Sequence, residues 1–192
     1  MPNNATGAPF EWPAKYNEVP KAVFEMDELW PQELENIFYG EEWHPIVHRS
    51  EIPNPGDFKA SELGEMPIFA VHGEDGAIRI FQNTCTHRGT SMVTESSGNK
   101  KELECPYHRW LFNLEGDLVG CPNSREFTPD FDMKNFSLPK LRTEEFNGLF
   151  FVTMSDKTPA LKDYFGKEFT ERLSRVLGGD GRLKLAGYQK VI

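Results

Sequence analysis

The sequence predicts an all-β core with helical flanks, on three observations. From Trp43 to about Met154, apolar and polar residues alternate with the period of a strand. Turn-forming residues interrupt that stretch at Gly73-Glu74-Asp75-Gly76 and again at Glu115-Gly116-Asp117. Helical spacing occurs only outside it, at Leu34, Ile37 and Phe38 and again from Leu161 onward. The chain therefore divides into an N-terminal arm with a short helix (1–42), a β core (43–154) and a C-terminal helical segment (155–192).

The arm is polar and spaced by prolines, with Phe10, Trp12, Tyr16 and Phe24 scattered through it as anchors to a surface. Pro31 suits the first turn of the short helix, because its missing N–H would have no partner there, and Gly40 ends it. "WHPIVH" (43–48) reads as a strand, since Pro45 opposes a helix. His44 and His48 then lie about 13 Å apart along the chain, too far to share a metal. "PIFAVHGEDGAIRIFQN" (67–83) and "LFNLEGDLVG" (111–120) each read as two strands around a tight turn. His72 closes the first of these strands with no partner visible in the sequence. "NGLFFVTM" (147–154) reads as a closing strand. The helix after it has Thr158 as N-cap, Pro159 at its first position, a stripe of Leu161, Phe165, Phe169, Leu173 and Val176, and Gly178-Gly179 as its stop. "RLKLAGYQKVI" (182–192) reads as a strand that stops in mid-pattern.

Charge and length narrow the function. Thirty acidic against 21 basic residues give a net charge of −9 without a basic run, which argues against nucleic acid and anionic membranes as partners. The longest apolar runs, such as "GLFFV", are strand-sized rather than membrane-spanning. The start has no charged segment followed by an apolar one, as an export signal would. Three cysteines do not make a disulfide framework. The expectation is a soluble, cytoplasmic protein.

Two short motifs carry chemistry. "CTHRG" offers Cys85 and His87; after 17 intervening residues "CPYHRW" offers Cys105 and His108. Both fall between predicted strands, where loops can aim side chains at one point. Zinc on the same four ligands is the rival, although zinc modules more often place both cysteines before both histidines. The alternation of thiolate and imidazole fits a Rieske [2Fe–2S] centre, with two cysteines on one iron and two histidines on the other. Two ferric ions, two sulfides and two thiolates sum to a neutral oxidised cluster. Its reduction is therefore easier than that of the doubly negative all-cysteine cluster.

"CTHRG" followed by "CPYHRWLFNLEGDLVG" resembles the Rieske domain at the N-terminus of the large (α) subunit of aromatic-ring-hydroxylating oxygenases, over residues 38–155. The resemblance implies a Rieske-type antiparallel β-sandwich with cluster-binding loops, and Cys85, His87, Cys105 and His108 as the cofactor and metal ligands. It makes 43–154 the Rieske domain and 155–192 the C-terminal helix and start of a catalytic domain. A mononuclear Fe(II), on two histidines and a carboxylate, is implied only in a longer parent protein. Of the five histidines here, the three outside the motifs form no such group. A reductase or ferredoxin is implied as electron donor, and a homotrimer as the full-length assembly.

Respiratory members carry an extra cysteine in each loop, where this chain has Thr90 and Tyr107, and a hydroxyl donor where it has Trp110. Fewer hydrogen bonds to cluster sulfur imply a potential low in the Rieske range. Arg88 and Gly89 match the oxygenase pattern, with Gly89 read as turn-forming. Arg109 departs from it, because glycine is usual there. Either the loop is not left-handed at Arg109 or a strain of about 1 kcal/mol or more is accepted. A cation beside the cluster would favour its reduced form or shape a docking surface; an exposed, tolerated side chain is the preferred reading. Cys121 is either part of a third loop, stiffened by Pro122, or a packing residue.

The function expected is one-electron relay within an oxygenase that hydroxylates an aromatic or other organic substrate with O2. The alternative is a stand-alone Rieske ferredoxin-like carrier or accessory subunit, although such carriers are usually shorter than this chain.

Overall fold

A computed structural model of the chain describes residues 12–13, 15, 17–122, 127–178, 183–184 and 186–187. Ten strands among them form three antiparallel sheets. In the first, β1 (His44–His48), β10 (Leu149–Thr153) and β9 (Arg142–Phe146) lie in that order. The second runs β4 (Ile78–Gln82), β3 (Met66–His72), β2 (Asp57–Leu63), β5 (Ser97–Asn99). The third is small: β6 (Leu103–Glu104), β7 (Leu111–Phe112) and β8 (Leu118–Gly120). The antiparallel β architecture matches the predicted class, and both predicted hairpins are present.

The second sheet is the shared wall of the molecule. Side chains alternate across a strand, so successive residues face opposite ways. Ile68, Ala70, Ile78 and Ile80 pack with Val47, Phe150 and Val152 of the first sheet. Phe69, Val71 and Phe81 pack instead with Leu103, Phe112 and Leu118 of the third. Covered on both faces, β3 is buried from Ile68 to His72 and reads as a nearly continuous apolar run. His72 has a partner after all: its Nδ1 pairs with the Ile52 carbonyl at 2.8 Å.

The short helix begins as predicted, with Pro31 in the first turn of α1 (Trp30–Glu33), and continues as a π-helical turn over Leu34–Phe38. His44 and His48 stand at opposite ends of β1 and are engaged locally, with the Ile37 carbonyl and Ser50. β9 escapes prediction because "RTEEF" has no apolar alternation. Its polar side chains hold the C-terminal helix instead. Phe10 and Tyr16 of the arm, Gly179 and most of the strand read over 182–192 lie outside the described residues; Leu183, Lys184, Ala186 and Gly187 have no regular structure.

The C-terminal helix, α2, spans Leu161–Val176 and differs from expectation three times, first in that Pro159 precedes it rather than opening it. Thr158 is not its N-cap. It is buried with its hydroxyl against Thr153 Oγ1 at 2.7 Å, and the residue before the helix, Ala160, has no capping side chain. The first helical N–H, of Leu161, donates to Glu144 Oε2 of β9 at 2.9 Å. Trp43 Nε1 holds the Pro159 carbonyl at 2.9 Å, and the Arg142 guanidinium lies over the Trp43 ring. The cap thus comes from the sheet. The apolar stripe is also split, because Gly166 takes a non-helical conformation (φ 67°, ψ 169°) that shifts the phase of the turns behind it. Leu161, Phe165, Leu173 and Leu177 pack on Trp43, Phe146 and Phe151, while Phe169 and Val176 are 51% and 73% exposed. Among the described residues no helix is long and apolar enough to cross a membrane.

Two outcomes follow for stability. Asn147 and Gly148 join β9 to β10 with φ of 49° and 85°, and a Cβ on Gly148 would meet His48 Nε2 at 2.8 Å. Gly148→Ala should therefore cost about 1–3 kcal/mol in urea unfolding, against about 1 kcal/mol for Gly76→Ala, where strain acts without a clash. Equal losses would contradict the His48 contact. Glu144→Ala should cost about 0.5–2 kcal/mol, with faster amide exchange concentrated at the start of α2; uniform protection would remove Glu144 as the cap.

Candidate metal centre

Two loops bring the predicted residues together. The first leaves β4 and carries Cys85 and His87; the second joins β6 to β7 and carries Cys105 and His108. Each is closed by the same two backbone bonds. In the first, Cys85 N–H donates to the Thr90 carbonyl and Gly89 N–H to the Cys85 carbonyl, both at 2.8 Å. In the second, Cys105 N–H donates to the Trp110 carbonyl at 2.8 Å and Arg109 N–H to the Cys105 carbonyl at 3.0 Å. Counted from the cysteine, His87 is third and His108 fourth, so the two imidazoles leave otherwise equivalent turns at different points.

The equivalence settles the question at Arg109. Gly89 and Arg109 occupy the same position, with φ of 75° and 57°. The loop is left-handed there, and Arg109 bears the strain. Its side chain is exposed and its Nε donates to Glu104 Oε1 at 3.1 Å, so the ion pair brackets Cys105.

The four donors differ in depth. Cys85 and Cys105 are buried, at 2% and 1% exposure, and their side chains touch. Burial pushes the Cys85 thiol up to about 11, helped by the neighbouring Cys105, while the backbone N–H groups of His87 and Arg88 pull it down. His87 and His108 are half-buried, with ring centroids 4.7 Å apart at 72°. Burial lowers the pKa of His87, and the neighbouring His108 and Arg88 lower it further. The Nδ1 atoms of both rings are buried without a hydrogen-bond partner. Such an atom costs about 1–3 kcal/mol unless something pairs with it.

Among the described residues, no three or more Cys, His, Asp or Glu side chains converge as on one metal ion. The four stand instead as like pairs, thiol by thiol and imidazole by imidazole. That division, with two inward unpaired nitrogens, fits a cluster of two irons each taking two protein ligands.

The frame around the donors includes residues that the motifs do not reveal. Asn83, buried, accepts from Met92 N–H at 2.8 Å and Val93 N–H at 3.0 Å and donates to the Val93 carbonyl at 2.8 Å, clamping the base of the first loop. A polar residue closing a predicted strand was the only signal of it. Trp110, 4% exposed, lies parallel to the His87 ring, with centroids 4.7 Å apart at 9°. Phe131 and Phe136 make T-shaped contacts with it, and the Thr86 hydroxyl donates to the Phe136 carbonyl at 2.7 Å. Cys121 is half-buried against this core as a packing residue, and burial raises its pKa. Arg88, Pro106, Tyr107 and Arg109 are exposed at the loop tips.

Comparison with known proteins gives the same answer. The model of the Rieske [2Fe-2S] domain matches residues 42–141. The chain is 37% identical over 166 residues to the anthranilate 1,2-dioxygenase large subunit of Burkholderia cepacia, covering 83% of this chain and 39% of that protein. It is 32% identical to the large oxygenase component of salicylate 5-hydroxylase from Ralstonia sp, covering 94% and 45%. The crystal structure of naphthalene 1,2-dioxygenase from Rhodococcus sp. superposes with a TM-score of 0.78 at 30% identity, covering 82% of this chain and 36% of that one. The chain therefore spans less than half the length of these relatives. With a matched domain over more than half its residues and two cysteine–histidine loops in the matched region, this chain belongs to the Rieske [2Fe-2S] domain family.

Proposed function

We propose that this chain binds its [2Fe–2S] cluster through Cys85, His87, Cys105 and His108 and serves as the electron-relay part of an oxygenase large subunit. The observation that carries the ligand set is the pair of buried, unpartnered Nδ1 atoms beside two buried thiols. When bound there, a Rieske cluster supplies a one-electron acceptor and donor. The chain's own residues do the rest. Cys85 and Cys105 give up thiol protons on loading, and the burial that favours protonated Cys85 is offset in part by the backbone N–H groups of His87 and Arg88 and for the rest by the metal. The aromatic group of Trp110, Phe131 and Phe136 excludes water from one side. The exposed loop tips leave the other side open to a redox partner.

The resemblance to oxygenase large subunits supports a longer parent protein, divided here at 43–154 as Rieske domain and from 155 as the start of a catalytic domain. His44, His48 and His72 are engaged with backbone or Ser50, which leaves a mononuclear Fe(II) to the remainder of that parent. The named relatives act on anthranilate, salicylate and naphthalene, which supports an aromatic or related organic substrate hydroxylated with O2. The donor is a reductase or ferredoxin, the assembly a homotrimer, and the compartment the cytoplasm, where Cys121 stays reduced.

Redox titration should place the wild type in the lower part of the roughly −150 to +300 mV Rieske range. His108→Cys should shift any retained cluster toward the roughly −400 mV of plant-type ferredoxins, and an unchanged potential would overturn the ligand assignment. Immunoblotting of source-cell extract tests the larger reading. A band about twice the 22.0 kDa of this chain supports the oxygenase subunit, in line with relatives of which it covers 39–45%. A band at 22.0 kDa would replace it with a stand-alone carrier or accessory subunit.

A further inference from the structure

We infer that Trp110 is the positioning residue of this site, a cross-brace by which the second ligand loop fixes the imidazole of the first. The inference rests on the ligand set proposed above. A histidine's outer torsion is soft, so an imidazole with an unpaired buried nitrogen would turn toward water unless its ring were held. Trp110 supplies that restraint for His87. The indole lies parallel to the imidazole at 4.7 Å, is itself 4% exposed, and makes T-shaped contacts with Phe131 and Phe136 at 6.2 and 5.4 Å.

The restraint closes on itself. Trp110 belongs to the second loop, where its carbonyl accepts the Cys105 N–H at 2.8 Å. Its indole reaches His87 of the first. Behind it, Phe136 is tied by its carbonyl to the hydroxyl of Thr86, the residue next to His87. The circuit His87, Trp110, Phe136, Thr86 thus returns to its origin through a stack, an edge contact, one hydrogen bond and one peptide bond. Among the described residues His108 has no equivalent brace. Apart from His87, its ring neighbour is Tyr107, which is 60% exposed. The two imidazoles are held unequally, and only one depends on Trp110.

Pulsed electron paramagnetic resonance of the reduced, cluster-loaded chain reads this directly, since each bound imidazole contributes its own nitrogen coupling. The wild type should give two narrow couplings. In Trp110→Leu one should broaden roughly twofold or more, as the unbraced but still bound imidazole takes a wider spread of orientations, while the other stays in place. Trp110→Phe, which keeps an aromatic face, should restore most of the width. Should the leucine variant fail to take up the cluster, Thr86→Val carries the test: cutting the tie should broaden the same single coupling to a smaller extent. Two unchanged couplings in the variants, or two that broaden together, would overturn the brace and leave the ligand set standing. A wild type without two nitrogen couplings would overturn the ligand set itself.

Discussion

The interaction on which the rest of this structure depends is the meeting of two buried thiols with each other, next to two imidazoles whose buried Nδ1 atoms have no partner among the described residues. Polar atoms are ordinarily buried only with partners. Here His87 and His108 keep Nδ1 out of water with nothing to bond, and burial drives the Cys85 thiol away from the thiolate that a metal needs. The scaffold imposes that arrangement. Two short turns with the same backbone bonds supply it, braced by Asn83 at one base and by the β6–β7 pairing at the other. Buried nitrogens without a partner carry a cost of about 1–3 kcal/mol each, which the ligand set proposed above would relieve.

Strain has a place in this economy. Gly89 meets the left-handed requirement of the first turn without a side chain to cramp, while Arg109 meets the same requirement in the second with one. The strain at Arg109 falls one residue after His108, and its guanidinium reaches back to Glu104, one residue before Cys105. Both partners are well exposed, so the pair contributes little to stability in water. Its geometric effect is to span the turn that holds Cys105 and His108. An unusual backbone angle is more readily retained where the surrounding turn is over-determined, and here two backbone bonds and an ion pair act on the seven residues 104–110.

The parts of the fold legible in the sequence are those whose cause is local. The juxtaposed Cys85, His87, Cys105 and His108 were visible because each cysteine–histidine pair sits within one turn, and the hairpins because Gly and Asp mark their tips. What escaped depends on distant partners. Thr158 has the chemistry of an N-cap, yet Thr153 takes its hydroxyl and Glu144 takes over the helix end from across the sheet. The stripe from Leu161 to Val176 is periodic on paper, but Gly166 leaves the helical region and turns Phe169 and Val176 outward. β9 looks polar because its Arg142 and Glu144 serve α2. Asn83 and Trp110 are ordinary residues until the loops they join are seen side by side.

The position of the second sheet ties the site to the stability of the whole. Ile68 and Phe69 are consecutive in β3 but belong to different cores, one shared with the first sheet and one with the ligand loops. A strand buried on both faces cannot shift toward one core without opening a gap in the other, and close-packed interiors resist such gaps. Phe81 extends the constraint: its ring lies against Gly116 of the β7–β8 turn, where a Cβ would stand 2.5 Å away, so the second hairpin seats directly on β4. β4 runs straight into the loop of Cys85 and His87, and β7 leaves the loop of Cys105 and His108. The spacing between the two ligand pairs is therefore set by sheet packing rather than by the loops alone.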